Sequence, residues 1–323
     1  MIIPDGTEDS ASRPLVSIGL PVYNGGTLLD GAIRSLRDQD YPNLEIVISD
    51  NASTDQTREV CLDHVGQDSR IRYHRVDENR GASWNFNQVF KLSRGEFFMW
   101  AAHDDLWAPS CIRRCAEVLI ADPGAALCHH SSQPVDPSGN LIGDPYLGDR
   151  YVNLAPSARD RWRTTLGNTL LHASIYGLIR RSAMERTGLC RICVGADFVL
   201  IAELSLHGSI RQTSESLSWK RMPVSMAEYR SHEEMLAYLG QSKPKQVWFP
   251  WLSVFRQMIS ALKTAELDAP LRRRLVQETR RAYISEGFLA TDFKHSVIKG
   301  LGSSRYQRWS RALRPSRELQ GPA

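Results

Sequence analysis

A short apolar run closed by acids constrains this chain most: residues 95–105 read Gly-Glu-Phe-Phe-Met-Trp-Ala-Ala-His-Asp-Asp. The stretch 97–102 is continuous and apolar, as a strand is when helices cover both faces of a parallel sheet. Two adjacent carboxylates, Asp104 and Asp105, follow after His103. In open α/β sheets ligands bind beyond the carboxyl ends of the strands. Paired acids there suit a hard cation such as Mg²⁺ or Mn²⁺, which takes oxygen ligands and often only one or two carboxylates. Alternatively, the pair caps the next helix, which Pro109 helps to start. The pair by itself leaves both readings open.

The preceding chain supplies the sheet that such a strand needs. Residues 15–22 are strand-like and end in the turn Tyr23-Asn24-Gly25-Gly26. Thr27 is placed to cap a helix in which Leu28, Leu29, Ala32, Ile33 and Leu36 recur at helical spacing. Residues 44–49 form a second strand, closed by Asp50-Asn51, and Ser53 with Gln56 reads as a capping box. Residues 71–76 are a third strand, and Glu78-Asn79-Arg80-Gly81 turns into a helix ending near Leu92. This alternation predicts right-handed crossovers and a mostly parallel sheet. Polar residues at three strand ends (Asn24, Asp50, Asp104 with Asp105) then converge on one edge. No G-x-G-x-x-G follows the first strand, which argues against a nicotinamide or flavin enzyme.

Beyond the acids, residues 111–120 read as a helix and 125–130 as a strand. The stretch 131–155 is rich in Pro, Gly and Asp and reads as an insertion or a change of topology. Residues 172–179 are strand-like, Gly195-Ala196-Asp197 opens a helix to His207, and 210–220 mixes strand and loop. From about residue 244 the pattern is helical. A length of 323 residues accommodates one large domain with an appendage. The net charge of +4 is too mild to predict nucleic-acid binding. Residues 1–14 lack the apolar core of a signal peptide and read as a disordered lead, and no stretch reaches membrane-spanning length, so a cytoplasmic protein is expected. Six cysteines in a chain of this size make no disulfide framework, and buried free thiols are the expectation. Cys190 and Cys193 form a single CxxC without a second, and Cys128-His129-His130 serves zinc only if the fold brings further ligands.

Taken in order, PVYNGG at residues 21–26, SDNASTDQT at 49–57, ENRG at 78–81 with Asn87, and GEFFMWAAHDD resemble the family 2 glycosyltransferases. The likeness covers residues 15–208 and runs more weakly to His232. It implies an α/β protein of the GT-A type, a mostly parallel nucleotide-binding sheet flanked by helices with a helical C-terminal extension. The catalytic domain would span 15–232, with a nucleotide-sugar half (15–105) and an acceptor half (106–232), followed by the extension 233–323. The implied activity is inverting transfer of a sugar from a nucleotide-diphosphate sugar, UDP-type favoured, to a hydroxyl of a glycan or lipid-linked acceptor. Surface polysaccharide biosynthesis is the implied setting.

The same resemblance implies roles for single residues. Pro21, Tyr23 and Asn24 lie near the base, with Asp50 accepting a hydrogen bond from it, and Asn79 and Gly81 belong to the same nucleotide site. Asp104 sits near the ribose or the metal, and Asp105 holds the Mn²⁺ or Mg²⁺ that bridges the phosphates. Asp197 matches the general base, and Tyr229-Arg230-Ser231-His232 places Arg230 on the diphosphate and His232 near metal or phosphate. Two departures stand out. The family's Asp-x-Asp-Asp reads Ala102-His103-Asp104-Asp105, which removes one carboxylate, and Ala196 replaces a common Glu before the base. Asp55 is either functional or a complement to its helix dipole. The rival readings are a metal-dependent nucleotidyltransferase, which would want a Lys or Arg in the turn after the first strand, and a nucleotide-sugar binder without turnover. Finally, Arg305, Arg308, Arg311 and Arg314 recur every third residue around Tyr306, Trp309 and Leu313. They read as a solvated face or as a basic amphipathic helix making peripheral membrane contact.

Overall fold

All seven residues of the first strand are buried, because helices cover the sheet around it on both sides. The computed structural model describes residues 13–136, 138–142, 151–168, 172–222, 232–243 and 247–301. In chain order the elements are β1 (Val16–Val22), α1 (Leu29–Arg37), β2 (Leu44–Asp50), α2 (Thr57–Gln67), β3 (Ile71–Arg75), α3 (Ala82–Leu92), β4 (Phe97–Trp100) and β5 (Leu106–Trp107). They continue with α4 (Cys111–Ala121), β6 (Ala125–Val135), α5 (Ala158–Leu166), β7 (Leu178–Arg180), α6 (Arg181–Met184), α7 (Ala196–His207) and β8 (Ser209–Arg221). The helices α8 (His232–Leu239), α9 (Pro250–Thr264), α10 (Ala269–Ser285) and α11 (Phe288–Leu301) complete the order.

The sheet runs β3-β2-β1-β4-β7-β6-β8-β5. Neighbours from β3 to β4 are parallel, as are β6 and β8, while β7 is antiparallel to both of its neighbours and β5 to β8. From β1 the chain adds β2 and β3 on one side and β4 on the other. The gap between the ends of β1 and β4 is therefore the topological switch point, where an open sheet leaves a crevice.

Several local expectations are corrected. Helix α1 begins at Leu29 with no side-chain cap, so Thr27 does not cap it. The turn before it is held from outside instead, by the Gly26 N–H donating to Asp55 Oδ2 at 2.9 Å. Ser53 and Gln56 form no capping box: Ser53 Oγ accepts from the Asn24 N–H and its own N–H goes to Asp50. Asp55 Oδ1 meets the Thr57 N–H and hydroxyl at the start of α2, which settles Asp55 as a clamp joining two turns. Burial pushes its carboxyl up, but the Thr57 and Gly26 hydrogen bonds outweigh this and hold it below the usual range. Residues 172–179 are not one strand but a 3-10 turn, His172–Tyr176, before the short β7. Residues 210–220 lie in one continuous strand of 13 residues, β8. Its many Ser and Thr are extended because β6 pairs along its length, a contact between distant parts of the sequence.

One apolar cluster lies under α1 and α4, with Ile18, Ile33, Ile48 and Leu119 fully buried. The other joins Phe98 and Trp100 of β4 to Val199 of α7 and to Phe255, Met258 and Leu275 of α9 and α10. The C-terminal helices thus share a core with the sheet. Trp162 of α5 reinforces the join by donating its indole N–H to Thr279 Oγ1 of α10 at 3.0 Å. All six cysteines are free thiols, and five are buried. Among the described residues no helix is long and apolar enough to cross a membrane.

Candidate functional site

A cavity of about 1060 Å³ opens at the switch point. Pro21 to Asn24 after β1 form one edge and Ala102 to Asp105 after β4 face them. Two walls of different chemistry follow.

The first wall is built from side-chain amides. Asn51, 2% exposed at the end of β2, donates through Nδ2 to Asn79 Oδ1 (2.8 Å) and to the Gly81 carbonyl (3.2 Å), and its Oδ1 accepts from the Arg80 N–H. Asn85 on α3 donates to the carbonyls of Val22 and Ser49, which stitches α3 to the ends of β1 and β2. Asn24 takes a left-handed φ of 52°, which Asn tolerates better than most residues, and its Oδ1 accepts from the Thr54 N–H. Tyr23 remains 42% exposed at the rim, so its ring is available to a planar ligand.

Gly81 closes this wall against the end of α8. Its φ is +84°, and a Cβ there would stand 2.3 Å from the Cα of Gly240, whose φ is +115°. Neither residue tolerates a side chain without moving backbone. Gly81→Ala is therefore expected to cost about 1–3 kcal/mol of stability, read as a lower urea midpoint, and to weaken nucleotide binding by displacing Ala237 to Gln241 from the cavity.

The second wall carries charge. Asp105 is 7% exposed, and its Oδ1 accepts the Arg221 N–H at 3.0 Å. The Arg221 guanidinium donates to the Asp104 carbonyl, and Lys220 lies 5.6 Å over the Tyr176 ring. Burial, then the neighbouring Asp104 charge, pushes the Asp105 carboxyl up to about 7, against the opposing pull of Lys220 and Arg221. A buried carboxylate beside a second, partly exposed one fits a hard divalent cation, which would relieve both causes of the Asp105 shift. Among the described residues no three His, Cys, Asp or Glu side chains are grouped to hold a metal, so Asp104 and Asp105 offer two carboxylates.

Tyr176 lines the same cavity, and Asp197 does not. Burial pushes the Tyr176 phenol well above the ordinary value, followed by Asp105, Tyr238, Asp104 and Asp197. Asp197 is half-buried at the first turn of α7, and its Oδ1 accepts the Phe198 N–H at 2.8 Å. Gly195 precedes it in a left-handed turn with φ +67°, and the Phe198 ring packs edge-on against Trp251 of α9.

Of the residues expected at the site, Pro21, Tyr23, Asn24, Asn79, Gly81, Asp104 and Asp105 line the cavity. Asp50 does not. It is fully buried, Oδ1 accepting from the Ser53 N–H and Oδ2 from the Tyr73 hydroxyl at 2.6 Å with Arg75 3.3 Å away. These partners brace the amide wall from behind, and Asp50 is buried and absent from the cavity lining, where a contact to the base was expected. His232 also stands off the cavity, stacked 5.0 Å from His295 of α11. Arg230, the arginine stripe from Arg305 and the lead 1–12 lie outside the described residues. Neither Asp104 nor Asp105 caps a helix, since β5 intervenes before α4. Cys128 is buried, and the His129 ring, pushed down to about 4 by burial, pairs with the Tyr151 carbonyl. Sequence reasoning missed Asn51, Asn85, Tyr176, Lys220 and Arg221 as cavity residues. The adjacent Lys220-Arg221 at a strand end was a readable signal. Tyr176 was not, because a 3-10 turn brings it there.

Comparison with known proteins follows the same lines. The family model described as Glycosyl transferase family 2 matches residues 17–188, more than half of the chain. Chondroitin synthase of Escherichia coli is 29% identical over 133 residues, which is 41% of this chain and 19% of that protein. The matched part is about a third or less of the first curated relatives' own length. A crystal structure of S. aureus TarS in complex with UDP-GlcNAc superposes with a TM-score of 0.61 at 17% identity, covering 90% of this chain and 80% of that one. The mannosyltransferase PcManGT from Pyrobaculum calidifontis, in complex with GDP-Man and Mn²⁺, gives a TM-score of 0.56 at 17% identity, covering 95% and 81%. At these identities the likeness to the solved structures is one of fold.

Proposed function

The chain belongs to glycosyl transferase family 2 and has its GT-A type of α/β fold, and on that premise we propose that it transfers a sugar from a nucleotide-diphosphate sugar to an acceptor hydroxyl with inversion. The observation that carries this reading is one cavity at the β1/β4 switch point with an amide wall and a charged wall. Asp197 is not among its lining residues and is assigned as the base on its match to the family's pattern at the start of α7. The acceptor is a glycan or a lipid-linked sugar of surface polysaccharide biosynthesis, a setting supported by the likeness to a chondroitin synthase. A UDP-type donor is favoured by the likeness to a fold that holds UDP-GlcNAc.

In this reading Tyr23, Asn24 and the amides of Asn51 and Asn79 receive the nucleoside. The diphosphate points to the opposite wall, where Lys220 and Arg221 supply fixed positive charge. Asp105 and Asp104 would hold a divalent cation, which supplies Lewis-acid stabilisation of the leaving diphosphate when bound. Asp197 takes the proton of the acceptor hydroxyl as its oxygen bonds to the anomeric carbon. The glycosidic C–O bond breaks on the opposite face, and its electron pair leaves with the nucleoside diphosphate.

A panel of UDP- and GDP-sugars, screened by thermal shift with and without Mn²⁺, tests the reading, since a ligand that binds only the folded state raises the melting temperature. Failure of every nucleotide sugar to do so would overturn it. Lys220→Gln is expected to weaken nucleotide-diphosphate binding about tenfold to a hundredfold, the loss of one charged hydrogen bond. Binding of the bare nucleoside, compared by calorimetry, should not change.

A further inference from the structure

A second concavity, of about 560 Å³, lies between α5 and α10 and shares no lining residue with the switch-point cavity. That volume is within the range of ligand sites. The two helices are clamped at one end of the cleft. Arg159 donates through Nε and Nη2 to Glu278 Oε1 at 2.9 and 2.6 Å, and the Trp162–Thr279 hydrogen bond lies next along both helices. Beyond the clamp the floor is apolar, with Leu166 3% and Ala282 9% exposed. Ala282 offers only a methyl group, which leaves the space between the helices open.

The rim carries charges that the fold does not use. Arg159 and Glu278 neutralise each other, and Asp160 is engaged at the start of α5 by the Ser157 hydroxyl at 2.6 Å. Arg163, Arg281 and Glu286 are exposed on the rim and make no ion pair with another described residue. The Ser285 hydroxyl beside them has no hydrogen-bond partner among the described residues. Positive charge continues along α10, which holds five arginines against one glutamate. Arg272 is turned back onto the Ala265 and Leu267 carbonyls, whereas Arg273, Arg274, Arg280 and Arg281 are exposed. Arg274 and Arg281 stand two turns apart on one face of the helix, so a line of charge leads away from the cleft.

This combination selects a ligand. Guanidinium groups take carboxylate or phosphate oxygens in a bidentate fork. Glu286 repels a further acid but accepts from hydroxyl donors, and Ser285 both donates to and accepts from them. The apolar floor suits the C–H face of a sugar ring. We propose that the α5/α10 cleft binds a glycan bearing acidic groups, uronate carboxylates or phosphodiesters, with Arg163 and Arg281 on the acids and Glu286 and Ser285 on the hydroxyls. An acidic peptide fits less well, because it brings anions to the arginines but no hydroxyls to Glu286. The site is separate from the nucleotide cavity and stands whether or not the chain transfers a sugar.

The test is calorimetry of the full chain with four probes. Hyaluronan oligosaccharides supply uronate carboxylates and poly(ribitol phosphate) supplies phosphodiesters, while chitin oligosaccharides are neutral and polyglutamate is acidic without sugar hydroxyls. One of the two acidic polyols is expected to bind at least about tenfold more tightly than both controls, the loss or gain of one charged hydrogen bond. Which of them does so identifies the acidic group. The double variant Arg163→Gln, Arg281→Gln should lose about tenfold or more of that affinity. Its melting temperature and its nucleotide-dependent thermal shift should not change, because neither arginine is buried or lines the nucleotide cavity. No binding of either acidic polyol would overturn the proposal. Equal binding of polyglutamate would also do so, since charge alone would then be the attraction and an acidic peptide as good an occupant. Full affinity of the double variant would overturn it as well, by assigning the binding to another basic part of the chain.

Discussion

Asp197→Asn should turn over about a hundredfold to ten-thousandfold more slowly than the parent, the usual contribution of a general base. The barrier rises by roughly 3 to 5 kcal/mol, and the fold should not change. Asn keeps an oxygen in the place where Asp197 Oδ1 accepts the Phe198 N–H, and the anchoring of α7 through Phe198 and Trp251 is untouched. Donor affinity should hold, because Asp197 is not among the residues that line the donor cavity and acts on the acceptor hydroxyl, not on the donor's phosphates. Steady-state kinetics and calorimetry with the same donor separate the two effects. NMR of the product then reads the anomeric configuration, which single displacement inverts. Near-normal turnover by the variant would hand proton removal to another group, and a retained configuration would exclude single displacement.

Asp105→Asn is expected to abolish the part of nucleotide-diphosphate binding that Mn²⁺ adds, while making the metal-free protein more stable at neutral and alkaline pH. Burial and Asp104 raise this carboxyl from 3.8 to about 7 in the folded chain, so the folded state binds the proton more tightly than the unfolded one. Stability therefore falls as pH rises from about 4 to about 7 and stays at the lower level above that. At about 1.4 kcal/mol per pKa unit the penalty approaches roughly 4 kcal/mol, and Asn, which still accepts the Arg221 N–H, does not incur it. Urea unfolding of both proteins across that pH range should show a gap at pH 8 that closes toward pH 4. An Mn²⁺ increment equal to the parent's would remove Asp105 from the metal site, and parallel pH curves would show that its charge is not strained.

The residues visible from sequence are those whose role is local. Phe97 to Trp100 had to be a buried strand on composition alone, and the acids after it had to emerge at the sheet edge. Ala196 to His207 likewise opened on schedule after a glycine. What escaped depends on partners distant in sequence. Strand β8 is long only because β6 lies beside it, and that pairing carries Lys220 and Arg221 to the cavity. Asp50 sits at a strand end like Asp104, yet Tyr73 and Arg75 from β3 absorb its carboxylate. No motif distinguishes an acid that faces a ligand from one that meets the neighbouring strand. The capping residues failed for a related reason: Ser53 and Asp55 satisfy backbone groups near Asn24 and Gly26, across the turn from their own helix.

The amide wall has a consequence for how the donor is let go. Asn24, Asn51, Asn79 and Asn85 carry no ionisable proton, so the nucleoside end of the cavity should grip equally across the physiological pH range and in high salt. Grip on the phosphates depends on Asp105 losing a proton and on the charges of Lys220 and Arg221. Mild acidification or added salt should therefore free the donor from its phosphate end first, leaving it tethered by the base. Nucleoside affinity plotted against pH should be flat, and the extra affinity contributed by the diphosphate in Mn²⁺ should climb toward neutrality.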